Sequence, residues 1–175
     1  CHRELARLKH YAAGTQDAGG RRLADSPRLR DKLMRIEMEV VGLEMLPFST
    51  LPNLDAALAM VAAANAPNGG LLIDIWHVMR SGGVVADVAQ VPGRFIIADE
   101  LCDAMMAMQD SITEDTMRHR KLCGEGAFDI AGFIRALGGA GYDGPYGVEI
   151  LSDAFRQLPL AEAAQRSFDT SAAQF

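Results

Sequence analysis

Residues 40–75 read VVGLEMLPFSTLPNLDAALAMVAAANAPNGGLLIDI, and this stretch decides the fold. The apolar run VVGLEML at 40–46 stops at Pro47. Proline has no N–H to give a strand ladder, so the run reads as a strand closed by a turn. NLDAALAMVAAANA at 53–66 then sets Leu54, Ala57, Leu58 and Val61 at helical spacing behind Asn53, a good N-cap, which predicts a helix. GGLLIDI at 69–75 is a second short apolar run and reads as a second strand. Strand, helix and strand in succession predict βα units on a parallel sheet.

The same rhythm continues outward. VVADVAQV at 84–91 predicts a short helix, Pro92 and Gly93 mark a break, and RFIIADEL at 94–101 predicts a third strand. The polar stretch from Cys102 to Gly126 reads as a loop, too long for an ordinary connection and therefore a candidate for function. DIAGFIRALGGAGY at 129–142 predicts a helix with Ile130, Phe133, Ile134 and Leu137 on one face, Asp129 as N-cap and glycines at its end. YGVEIL at 146–151 predicts the fourth strand, and the Ala-rich tail from Pro159 to Phe175 a helix. Residues 1–36 differ: Leu5, Leu8, Leu29, Leu33 and Ile36 suit helices around a turn at AAGTQDAGGRR (12–22), and no strand is expected. The chain thus divides into an atypical helical segment, 1–36, and an α/β part, 37–175.

Composition narrows the functional classes. The chain has 175 residues, 17 basic against 23 acidic side chains and a net charge of −6, with 49% hydrophobic and 23% charged residues, which fits one globular domain. An acidic chain without a Lys/Arg cluster offers no footprint for a phosphate backbone, and no apolar run reaches the ~20 residues of a membrane span. Neither nucleic acid nor membrane is expected as a partner. Cys1, Cys102 and Cys123 cannot all pair within one chain, and no CxxC or basic-then-apolar leader is present, so a cytoplasmic, reducing location is expected.

Each expected strand carries one carboxylate near its C-terminal end: Glu44, Asp74, Glu100 and Glu149. A single such Glu is more often a solvated strand end than a ligand. Four at equivalent positions are different, because ligands of βα folds gather at strand C-termini and converging carboxylates demand a cation. All-oxygen ligation favours a hard divalent ion, Mg²⁺ or Mn²⁺.

Four motifs occur in a fixed order: the strand Glu before Pro47-Phe48, DIWH at 74–77, ELCDA at 100–104, and HRKLCGEG at 119–126 followed by GYDGPYGVEIL at 141–151. In these the chain resembles the C-terminal half of the sugar phosphate isomerase/epimerase family, whose fold is the xylose isomerase-like (β/α) barrel. The resemblance spans about residues 40 to 165 and implies the last four βα units of a barrel, a half-barrel or truncated barrel. It implies that Glu44 and Glu149 bind metal and act as the acid/base pair, that Asp74 is a further ligand, and that His77 and Arg120 contact substrate. Glu100 stands where many members have Gln or His as the remaining metal ligand. Mg²⁺ or Mn²⁺ is the expected ion, with Co²⁺ or Zn²⁺ as alternatives.

The expected reaction is isomerisation or epimerisation of a sugar or related polyhydroxy carbonyl compound, by proton transfer through an enediolate. A divalent ion polarises the oxygens while carboxylates on either side take and return the proton. Two alternatives remain open: a dehydratase of a cyclic polyol or keto acid on the same barrel, and a non-catalytic barrel fragment serving as a binding or oligomerisation module. A homodimer completing the barrel is expected to cover the open edges of a four-stranded sheet. Asp103 either shapes its loop or positions a ligand. Met105, Met106 and Met108 read as loop packing or a lid, and Cys123 is not expected to act as a catalytic thiol.

Overall fold

The computed structural model describes residues 10–17, 19–30 and 41–175. The apolar runs become four parallel strands, β1 (Val41–Glu44), β2 (Gly69–Asp74), β3 (Ile96–Leu101) and β4 (Gly147–Val148), hydrogen-bonded in chain order. Between them and beyond lie the helices α1 (Leu54–Ala64), α2 (Ile75–Arg80), α3 (Val85–Val88), α4 (Ile112–Arg118), α5 (Ile130–Ala140), α6 (Asp153–Arg156) and α7 (Leu160–Ala172). Strands added in sequence order by successive crossovers make a singly wound sheet, the arrangement of a (β/α) barrel. With four of the eight strands a barrel needs, the described chain is a partial barrel.

The expected caps form. Asn53 Oδ1 accepts from the Ala56 N–H at 3.0 Å and Asp129 Oδ1 from Gly132 at 2.8 Å, fixing the starts of α1 and α5. Leu71, Ile73 and Leu101 are buried with Phe133, Ile134 and Leu137 of α5 in one core. Strand alternation sends Leu72 and Asp74 to the opposite face of β2 from Leu71 and Ile73.

Register decides what gathers on that face. Glu44 pairs with Leu72, Asp74 with Glu100, and Glu100 with Gly147, two residues before Glu149. Parallel neighbours share a face, so Glu44, Asp74, Glu100 and Glu149 all project to one side of the sheet.

Three elements depart from the sequence reading. The stretch 102–126 is not one long loop, because it contains α4 and an antiparallel bridge from Asp103 to Lys121. Ser111-Ile-Thr-Glu114 starts α4, with Ser111 Oγ accepting from the Glu114 N–H at 3.3 Å, an S-x-x-E start signal embedded in polar sequence. The fourth strand is shorter than YGVEIL: Glu149 still donates to Leu101 O at 3.1 Å, but Leu151 O accepts from Arg120 and Ser152 bridges His119, drawing the chain away from β3. The helix of 84–91 is confined to α3. In the first segment, Gln16 and Arg22 form an isolated antiparallel bridge around the expected turn, whereas Leu5, Leu8, Leu33 and Ile36 lie outside the described residues.

Asp103 shapes its loop. Its buried carboxylate accepts four backbone N–H groups, from Ala104 (2.8 Å) and Phe128 (2.9 Å) on Oδ1 and from Gly124 (3.0 Å) and Gly126 (2.9 Å) on Oδ2. The CGEG motif follows from this contact: Gly124 has φ +84°, and a Cβ on Gly126 would collide with the Asp103 carboxylate and Ala104 O. Asp103→Ala leaves these donors unmatched and is expected to cost about 3 kcal/mol of unfolding free energy, read as a lower urea midpoint.

Candidate metal centre

The site is built around Asp74. As the last residue of β2 it is wholly buried, and it also starts α2, Oδ1 accepting from the Trp76 N–H at 2.7 Å. This short turn brings His77 back over the sheet end, with Nε2 3.4 Å from Glu44 Oε1 and 3.7 Å from Asp74 Oδ2. His77 Nδ1 is buried without a hydrogen-bond partner among the described residues, so no backbone carbonyl there holds this nitrogen. Phe48, after the Pro47 turn, stands edge-on to the His77 ring at 6.2 Å.

Two groups of side chains offer atoms close enough to share an ion: Glu44, Asp74 and His77, and Asp74, Glu100 and Glu149, each within 4.8 Å. Asp74 belongs to both. The four sequence-predicted carboxylates thus fall into two overlapping groups that meet at Asp74, with His77 in the first and Glu100 and Glu149 in the second. Carboxylate oxygens and an imidazole nitrogen are donors that a divalent cation takes, and each group of three fits such an ion.

Arg120 is the counter-charge. It is 2% exposed, and its Nη1 donates to Asp74 Oδ2 at 2.5 Å, lies 3.0 Å from Glu149 Oε2 and 3.5 Å from Cys102 Sγ. Nη2 donates to Thr116 Oγ1 at 2.9 Å and lies 3.5 Å from His77 Nε2, while Nε donates to Thr116 O at 3.2 Å. Burial works against this charge, but Asp74, Cys102 and Glu149 outweigh it and hold the guanidinium above its ordinary value. The arginine expected to anchor substrate is thus fastened to two of the carboxylates. Thr116, Cys102 and Trp76 surround it, and the sequence reading missed all three. The S-x-x-E helix start is the signal that places Thr116 on an element facing the site.

Repulsion within the cluster is legible in its proton affinities. Burial, then Asp74 and Glu149, push Glu44 up to about 7. Burial, then Glu149, Asp74 and Glu44, do the same to Glu100, also to about 7. Glu149 is raised by burial with Arg120 opposing. Burial lowers His77 to about 3, and Arg120 adds to this, so the imidazole is neutral near pH 7 and Nε2 can serve as donor or ligand. Burial likewise pushes the Cys102 and Cys123 thiols up, which leaves Cys123 a packing residue rather than a nucleophile.

The profile of the xylose isomerase-like TIM barrel family matches residues 21–172, and the chain belongs to that family. It is 30% identical over 138 residues to a 3-dehydroshikimate dehydratase of Pseudomonas aeruginosa, covering 78% of this chain and 22% of that protein. It is 25% identical over 138 residues to an inosose isomerase of Bacillus subtilis, covering 79% and 48%. The chain therefore spans about a fifth of the first relative and about half of the second. Among solved structures it resembles a xylose isomerase-like TIM barrel/4-hydroxyphenylpyruvate dioxygenase fusion protein, with TM-score 0.67 and 27% identity over 85% of this chain and 23% of that one. It also shares the fold of the IolI protein, solved with a zinc atom bound, at TM-score 0.70 and 20% identity over 98% of this chain and 68% of that one.

Raised carboxylates set the sign of the pH dependence in metal-free buffer. Glu44, Glu100 and the buried Asp99, which burial also pushes to about 7, hold protons in the folded state that the unfolded chain releases above its ordinary carboxylate values of 3.8 to 4.5. His77 acts oppositely below its ordinary value of 6.5, since only the unfolded chain then protonates it. Three carboxyls outweigh one imidazole, so stability is expected to rise as pH falls from about 7 to about 5. Urea midpoints measured across that range should show the rise, and Glu100→Gln should flatten it.

Proposed function

We propose that the protein acts as a divalent-metal-dependent enzyme on a polyhydroxy ketone, removing the proton beside the carbonyl. The observation that carries this reading is the meeting at Asp74 of two groups of ligand atoms, Glu44 with His77 on one flank and Glu100 with Glu149 on the other, at the C-terminal ends of parallel strands. A non-catalytic remnant predicts Glu44 and Glu149 not convergent with Asp74 and Glu100; the sharing of Asp74 by both ligand groups supports the enzyme reading instead.

Asp74, Glu100 and Glu149 would hold the ion, joined on the other flank by Glu44. Bound there, a divalent ion would lower the cost of negative charge on neighbouring carbonyl and hydroxyl oxygens. Glu44, on β1, and Glu149, just beyond β4, come from opposite edges of the sheet, the placement an acid/base pair needs to reach both sides of a substrate. In the metal-free site burial, then Asp74 and Glu149, hold Glu44 up to about 7; with an ion bound, Glu44 would lie lower and favour the carboxylate, the form that accepts a proton. Neutral His77 would donate to substrate oxygens, and Arg120 would keep Asp74 and Glu149 oriented.

Returning the proton to a neighbouring carbon gives isomerisation or epimerisation, whereas expelling a β-hydroxyl gives dehydration. The dehydratase outcome is favoured by the higher identity, 30%, to the two dehydratase relatives, against 25% to the isomerase. Both kinds of relative are named for cyclic polyhydroxy ketones, and such a ring is the substrate class proposed here. A reducing, cytoplasmic setting, expected from the cysteine content, belongs to the same proposal, and a second copy is one way to close the sheet.

Calorimetric titration of the metal-stripped protein with Mn²⁺ is expected to show stoichiometric binding, weakened about tenfold or more in Glu149→Gln. With 3-dehydroshikimate or an inosose in D₂O, deuterium should enter the carbon beside the carbonyl, or water should be lost. Absence of Mn²⁺ uptake by the unaltered chain overturns the metal reading.

A further inference from the structure

Behind the carboxylates lies a second buried ionic cluster that the proposed chemistry does not use. Asp115, in α4, is 1% exposed, and its partner Arg80, the last residue of α2, has a side chain 7% exposed. Asp115 Oδ2 accepts from Arg80 Nε at 2.8 Å and from the Trp76 indole Nε1–H at 3.2 Å, while Oδ1 accepts from the Gln109 N–H at 2.7 Å. Arg80 spends its remaining donors on the chain after β3: Nη1 on Met106 O at 3.0 Å and Nη2 on Met105 O at 2.8 Å.

Trp76 joins this cluster to the site. The Arg80 guanidinium lies 5.6 Å from the indole ring centroid and that of Arg120 lies 5.1 Å from it, so the ring is shared by the two cations. Thr116, the next residue of α4, grips Arg120 with both its hydroxyl and its carbonyl. One turn of α4 therefore fixes Arg120 directly through Thr116, and fixes Trp76, Arg80 and residues 105–109 through Asp115.

We propose that Asp115 is a positioning residue: through Trp76 and Arg80 it sets the place of Arg120 against Asp74 and Glu149, and holds the methionine-bearing segment 105–109 as a fixed wall at the sheet's C-terminal edge. The inference rests on the metal-site reading of the carboxylates only where metal affinity is the readout. The wall it describes differs from a free lid: Met105, Met106 and Met108 have exposed side chains, yet the backbone of this segment is tied at Met105, Met106 and Gln109 by buried charged groups. Charged, buried hydrogen bonds of this kind are costly to leave half-made, which makes the arrangement all-or-none.

Asp115→Asn keeps the volume and removes the charge. Arg80→Lys keeps the charge and removes the fork that reaches two carbonyls. In both, amide exchange in 105–111 is expected to accelerate about tenfold, with α1 and α5 unchanged. Emission of Trp76, the chain's one tryptophan, should shift, and Mn²⁺ affinity should fall about tenfold. Uniform acceleration across α1 and α5, or unaltered emission and Mn²⁺ affinity with 105–111 unaffected, overturns the proposal. If Asp115→Asn does not fold, Arg80→Lys decides. If unaltered protein takes up no Mn²⁺, the metal reading alone falls, and the exchange pattern with Trp76 emission decides the positioning role.

Discussion

The contact between Asp74 and Arg120 is the constraint on which the site depends. A carboxylate with no solvent exposure at the end of a central strand is very costly unless a cation stands beside it, and Arg120 supplies that cation at 2.5 Å. Removing either partner strands the other charge in a buried place. The rest of the site is arranged to keep the pair intact: Asp74 caps α2 by accepting from the Trp76 backbone N–H, the Trp76 ring faces Arg120, and Thr116 accepts from the guanidinium.

One positive charge does not balance four carboxylates. Burial first, and like-charge repulsion after it, hold protons on Glu44 and Glu100 to about pH 7. A divalent ion would relieve the repulsive part of this. Arg120 and a divalent ion would both draw on Asp74 and Glu149, so part of the site's charge compensation is permanent.

Much of the fold was legible because it rests on local pattern. Asn53 and Asp129 are short polar side chains ahead of apolar faces and cap the helices they announce. The runs around Leu43, Ile73 and Ile97 are β-formers between turn residues and become strands. The region 102–126 was misread because its order comes from distant partners: Asp103 gathers backbone donors from residues 124 to 128, and Asp115 pairs with Arg80 in another helix. Polar sequence organised by buried long-range hydrogen bonds has the composition of a loop. The S-x-x-E at 111–114 was its one local clue.

The sequence by itself determined the parallel βα architecture and the four carboxylates at strand ends, because period-2 and helical spacing, caps and strand-terminal charges are properties of neighbouring residues; the family was legible only through the resemblance of its ordered motifs. Tertiary structure alone decided that Asp74 lies at the centre of two overlapping ligand groups, that Arg120 is buried against it, and that α4 braces both. Those facts depend on strand register and on contacts between residues 35 to 46 positions apart, and no local pattern encodes the meeting of side chains across such separations.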